Sequence, residues 1–171
     1  MVYRRKYDFS SKVALVINSD AGIGAAIAIA LAEYGCKVAI TGASRSRLDA
    51  VANEIGHVSY GGRKPLQIIG DLLDVEMPKK LINATVDYYR RLDLLVNVAS
   101  VASTGKNSGF LLDNSQLLTE FDTSVRLNMR ASIDLIQRAM PYLAQTRGNV
   151  LNICPPAADP EVVSSSRIFT E

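Results

Sequence analysis

At 171 residues with 48% hydrophobic and 21% charged side chains, the chain is long enough for one domain with a real core and too apolar to stay disordered. A net charge of +2 spread along the sequence argues against a nucleic-acid partner, and the one basic cluster, Arg4-Arg5-Lys6, reads as a solvated tail. No apolar run approaches the roughly 18 residues of a membrane helix. Lys12 and Asp20 interrupt any leader-like N-terminus, so a cytoplasmic location without a membrane partner is expected.

In chain order, Lys12–Asn18 is a short β-branched run, as expected of a strand covered on both faces. A helix follows over Gly22–Tyr34, stopped by Gly35, and then a second strand over Lys37–Thr41 and a polar amphipathic helix over Arg45–Ile55. The only histidine, His57, falls in a polar connection beside Gly61-Gly62 and reads as a solvated loop residue. Pro65–Gly70 is the third strand. Asp74 is expected to cap a helix running to about Arg91, with Pro78 tolerated in its first turn.

Leu92–Val98 is the fourth strand, Gln116–Gln145 a long helical segment, and Asn149–Cys154 the fifth strand. Strands alternating with helices predict an α/β fold, a doubly wound parallel sheet with about five strands in the order 3-2-1-4-5. The domain is expected to occupy residues 1–155 and an irregular tail 156–171. Cys36 and Cys154 lack metal-ligand spacing and read as buried thiols; no metal site is expected.

The junction of the first strand and helix carries the strongest chemical signal. A helix N-terminus offers unpaired amides to a phosphate, and glycines let the ligand approach the backbone. Taken alone, Gly22-Ile23-Gly24 is compatible with plain strand–helix packing as well as with a phosphate site. Its surroundings decide. Ile17-Asn18-Ser19-Asp20-Ala21-Gly22-Ile23-Gly24 resembles the Thr-Gly-x-x-x-Gly-x-Gly turn of the short-chain dehydrogenase/reductase family, with Asn18, a residue suited to positive φ, in place of the first glycine.

Further landmarks of that family follow in order across residues 8–155. Asp71 matches its adenine-contacting acidic residue, and Leu95-Val96-Asn97-Val98-Ala99-Ser100 stands where the family has Leu-Val-Asn-Asn-Ala-Gly. Asn128 matches its helix-bending, proton-relay asparagine. Gly148 to Ile153 matches the strand that leads to the catalytic serine. By resemblance, Asn18, Asp20, Gly22, Ile23, Gly24, Ser44, Arg45, Asp71 and Asn97 are the cofactor-binding candidates.

The second strand brings no carboxylate before Asp49, whereas an acidic residue there would select NAD. Arg45, or in its place Arg47, is expected to meet a 2′-phosphate with Ser44 adding a hydroxyl, which favours NADP. Solvated arginines at a helix start are the alternative, and the family's usual arginine is replaced by Ala43.

The family's catalytic serine, tyrosine and lysine find no counterpart. Pro155 stands at the serine position, and no tyrosine, lysine or histidine follows Asn149 in this chain. A catalytic unit stripped of its members loses nearly all activity. The expectation is therefore a truncated, catalytically defective homologue with at most residual NADP(H) binding, Asn128 being vestigial. Two alternatives stay open: an NADP-dependent carbonyl or alcohol oxidoreductase whose catalytic half lies in a longer form, and an interaction partner of full-length paralogues. Self-association through an open fifth strand and the apolar side of the long helix is also expected.

Overall fold

The computed structural model describes residues 7–98 and 117–153. Five strands, β1 (Val13–Val16), β2 (Lys37–Gly42), β3 (Leu66–Ile69), β4 (Leu94–Val98) and β5 (Asn149–Ile153), form one sheet in the order β3-β2-β1-β4-β5, parallel in every pairing. This is the predicted order. Its centre, β1, is buried along its whole length. Side chains alternate across it: Ala14 and Val16 pack with α1 (Gly22–Glu33) and α2 (Arg45–Val58). Leu15 and Ile17 pack on the opposite face with α3 (Met77–Tyr89) and α5 (Ala131–Thr146).

Two sequence expectations need correction. Asp74 does not cap α3. Its carboxylate accepts from Glu76 N–H at 3.0 Å, in a turn that precedes the helix, and meets Lys80 Nζ at 3.1 Å. The helix starts at Met77, with Pro78 in its first turn, because the short Asp-to-backbone bond competes with helix geometry at that point. His57 lies in the last turn of α2, where it is exposed, since the helix runs on to Val58 instead of ending at Ile55.

The long helical segment is α4 (Leu117–Ser124), a π-helical stretch over Val125–Arg130, and α5, in unbroken succession. The Ala131 N–H donates to Arg126 O, five residues back, and Asn128 lies inside this widened turn with its Nδ2 donating to Ser124 Oγ at 3.4 Å. Beyond it, Ala131, Leu135, Ala139 and Leu143 face the sheet, while Ile133 and Met140 stay 61% and 51% exposed. β5 is an edge strand among the described residues, and its Leu151, which pairs with Val96 and so lies on the α1 side of the sheet, is 43% exposed.

The lower ends of the strands are tied by side chains whose partners are distant in sequence. Asp93, with a side chain only 4% exposed, accepts from Val13 N–H at 2.9 Å and pairs with Arg91 at 2.7 Å and Lys12 at 3.2 Å. Burial alone would raise its pKa; the Arg91 guanidinium, the Val13 amide and Lys12 outweigh that and hold the carboxyl below its usual value. Tyr89 accepts from Leu66 N–H and donates to Val38 O, bridging β3 and β2, and burial pushes its hydroxyl up to about 12. The Cys36 thiol, buried against Lys12 O, is likewise pushed up to about 12, chiefly by desolvation. Cys154 and residues 156–171 lie outside the described residues.

Candidate functional site

The upper ends of β1, β2 and β4 converge where the sheet order reverses between β1 and β4, the crevice in which open α/β sheets hold ligands. Asn18 leaves β1 at φ 52°, in the left-handed region, and its Nδ2 donates to Val98 O at 2.7 Å. The residue thus adopts the conformation a glycine would supply, and its amide joins the ends of β1 and β4.

Ser19 is fully buried and turns the chain inward. Its Oγ accepts from Thr41 N–H at 2.9 Å and donates to Val16 O at 2.8 Å, which fixes the loop against β2. Gly22 follows at φ 57° with open space around it. A Cβ on Gly24 would lie 2.1 Å from Asn18 O, so only glycine lets α1 begin this close to the strand it leaves.

No side chain caps α1, whose N-cap is Ala21. The amides of Gly22, Ile23 and Gly24 have no carbonyl one turn back, as at any helix start. Ala21, Gly22 and Ile23 are exposed, with Ile23 60% accessible. Donors, open space and the positive end of a helix dipole therefore meet at one point, which suits a phosphate group.

The second rim of the crevice is the start of α2. Ser44 is its N-cap, and its Oγ accepts from Arg47 N–H at 3.4 Å. Arg45 is exposed and forms no ion pair among the described residues. Arg47 instead folds back on Asp20, with Nη2 and Nε at 2.7 and 3.1 Å from Oδ2. Of the two arginines considered from the sequence, Arg45 is the one left without a partner among the described residues.

Asn97 is buried near the end of β4, opposite Asn152 of β5, and its Nδ2 donates to Asn152 Oδ1 at 3.0 Å. The Asn97 Oδ1 is buried and has no hydrogen-bond partner among the described residues. Such an atom costs stability unless something else donates to it, so its presence at the crevice fits a site shaped for a ligand. Asp71 is exposed beyond β3, and its carboxylate accepts from Leu73 N–H at 2.9 Å in a local turn. Pro155 lies outside the described residues.

The bonds from Asp20 to Ser44 and Arg47, the Asn97–Asn152 pair and the bonds from Asp93 to Val13 and Lys12 were not legible from sequence, because each joins residues 24 to 81 positions apart. The one local signal was an acidic residue inside a glycine turn.

The family profile described as short chain dehydrogenase matches residues 12–166. An uncharacterized oxidoreductase of Staphylococcus aureus is 28% identical over 162 residues, which cover 94% of this chain and 65% of that protein. Among solved structures, the apo-form glucose dehydrogenase of Caenorhabditis elegans superposes with a TM-score of 0.73 at 28% identity, over 90% of this chain and 60% of that one. A short-chain dehydrogenase/reductase of Serratia marcescens gives 0.73 at 29% identity, over 94% and 64%. The chain thus spans less than two thirds of the length of each of these relatives.

Proposed function

The chain belongs to the short-chain dehydrogenase family, and from that premise we propose that it binds a nicotinamide dinucleotide, NADP(H) in preference to NAD(H), without carrying out hydride transfer on its own. The observation that carries the binding half is the left-handed Asn18: the departure from the family's glycine costs the turn little, because the residue takes the backbone conformation required. Open amides at the start of α1 would hold the pyrophosphate, with Gly22, Ile23 and Gly24 lining its approach. Arg45 and Ser44 would meet a 2′-phosphate, Asp71 the adenine, and Asn97 Oδ1 a donor on the ligand or on a water beside it.

The dinucleotide, when bound, supplies a hydride. A proton must also reach the substrate oxygen, and positioned acid–base groups contribute roughly 10²–10⁴-fold to such a step. This chain carries no tyrosine or lysine after Asn149, and Pro155 has no hydroxyl to polarise a carbonyl. Asn128 is half-buried in its widened turn, and an asparagine side chain does not itself titrate to supply that proton.

A second reading is favoured by an edge region in which β5, among the described residues, pairs on one side only, with Ile133 and Met140 exposed on the α5 side of the sheet and Leu151 on the other. Such a region suits association with another chain of this fold, whether a second copy or a longer paralogue.

The test is a titration of NADPH and NADH into the purified chain, read by thermal shift, together with a carbonyl panel. A charge-assisted Arg45–phosphate contact is worth about 1.5–3 kcal/mol, so NADPH should bind about tenfold tighter or more, and Arg45→Ala should remove the difference. Equal affinities in the unmodified chain overturn the phosphate contact. Protein-dependent NADPH oxidation overturns the claim of no turnover.

A further inference from the structure

We propose that Asp20 is the residue that decides between a ribose hydroxyl and a ribose phosphate at this site, an inference that rests on the dinucleotide-binding reading above. In doubly wound folds the acidic side chain that accepts the ribose hydroxyls stands at the end of the second strand. Here β2 ends in Gly42, which has no side chain to offer. The space beside it is not empty. Asp20, from the turn after β1, fills it so closely that a Cβ on Gly42 would lie 2.3 Å from Asp20 Cγ and 2.4 Å from its Cβ. The carboxylate missing from β2 in sequence is thus delivered to the end of β2 in space.

Its two oxygens are used unequally. Oδ2 accepts from Ser44 N–H at 3.3 Å and from Arg47 Nε and Nη2 at 3.1 and 2.7 Å. Oδ1 accepts no bond among the described residues. A purely structural clamp is already complete through Oδ2. The remaining oxygen, on a side chain 12% exposed at the rim of the crevice, is free to accept a ribose hydroxyl.

The same contact has a second effect. Arg47 is 57% exposed and long enough to serve as a phosphate ligand beside Arg45, but Asp20 takes two of its N–H donors and neutralises its charge. Asp20 therefore favours NAD(H) by acceptance and restrains NADP(H) by repulsion and by withholding Arg47. Arg45 acts against it. The preference for NADP(H) is the balance of the two, and Asp20 sets how large it is.

NADPH and NADH are titrated into the unmodified chain and into Asp20→Asn and Arg47→Met, reading nucleotide fluorescence and thermal shift. Asp20→Asn removes the carboxylate charge and loosens Arg47, so the NADPH:NADH affinity ratio should rise at least tenfold. Arg47→Met leaves Asp20 unopposed, and the ratio should fall. A merely structural clamp would weaken both nucleotides alike. If Asp20→Asn does not fold, Arg47→Met, altered at a largely exposed side chain, decides the matter. Nucleotide binding by the unmodified chain with a ratio that neither variant moves overturns this inference alone; no binding of either nucleotide overturns it together with the reading beneath it.

Discussion

Replacing Asp93 by alanine tests how the lower end of the sheet is held. The wild-type carboxylate satisfies the amide of Val13, a residue with no solvent exposure, and collects Arg91 and Lys12 around it. Without it the Val13 N–H loses its acceptor inside the core, at a cost of about 1–3 kcal/mol. The Arg91 and Lys12 side chains are 40% and 41% exposed, so water replaces their lost contacts and each adds only about 0.5 kcal/mol. The sum is about 2–4 kcal/mol.

Urea unfolding followed by far-UV circular dichroism at neutral pH measures it as a lower midpoint with unchanged slope. Asp93→Asn keeps an oxygen for Val13 and should lose about half as much. The native carboxyl lies below its ordinary 3.8, so its contribution is complete above that value and disappears as pH falls through the native one. The gap between wild type and Asp93→Asn should therefore shrink between pH 7 and pH 3. A loss under about 0.5 kcal/mol on going to alanine would refute the anchoring role, given the orphaned amide. A gap that ignores pH would refute the part assigned to charge.

Gly24→Ala should lower Tm by about 5 °C or more and remove nucleotide binding, because the new Cβ meets the Asn18 carbonyl at 2.1 Å and neither backbone yields cheaply. Differential scanning calorimetry with an NADPH titration reads both, and a wild-type Tm would show that the close approach is not needed. The exposed Ile133 and Met140 of α5, with a β5 that pairs on one side only among the described residues, should make the chain elute larger than a monomer in size-exclusion chromatography with light scattering. A stable monomer that binds no hydrophobic dye would mean this region needs no second chain.

The fold was readable because its rules are local. Short β-branched runs separated by helix-length periods announce a parallel sheet, and Val13, Leu15 and Ile40 buried at its centre confirm what their types implied. Asn18 was legible for the same reason: few residues other than glycine tolerate the backbone that the turn requires. Asp74 misled because an aspartate ahead of a helix satisfies an amide equally well in a turn or at a cap, and the choice depends on where Met77 and Pro78 pack. Asp20 and Asn97 were named as candidates, but the Asp20 contacts, the Asp93 anchor and the Asn97–Asn152 pair were out of reach. Their meaning lies in strand register, which no single stretch of sequence states.

The π-helical stretch at Val125–Arg130 has a consequence for how this chain can change length. In a regular helix, losing one residue turns everything beyond it by about 100°, since 3.6 residues complete a turn. Downstream of a loss at an ordinary position, Leu135 and Leu143 would swing off the sheet and their exposed neighbours would swing onto it. A π turn already holds one residue more than the α-helix around it. Deleting a residue within Val125–Arg130 closes that turn to ordinary α geometry and leaves α5 in phase with the sheet. Chain length and packing phase are decoupled at this place, and the residue at stake there is the surplus one of the turn that contains Asn128.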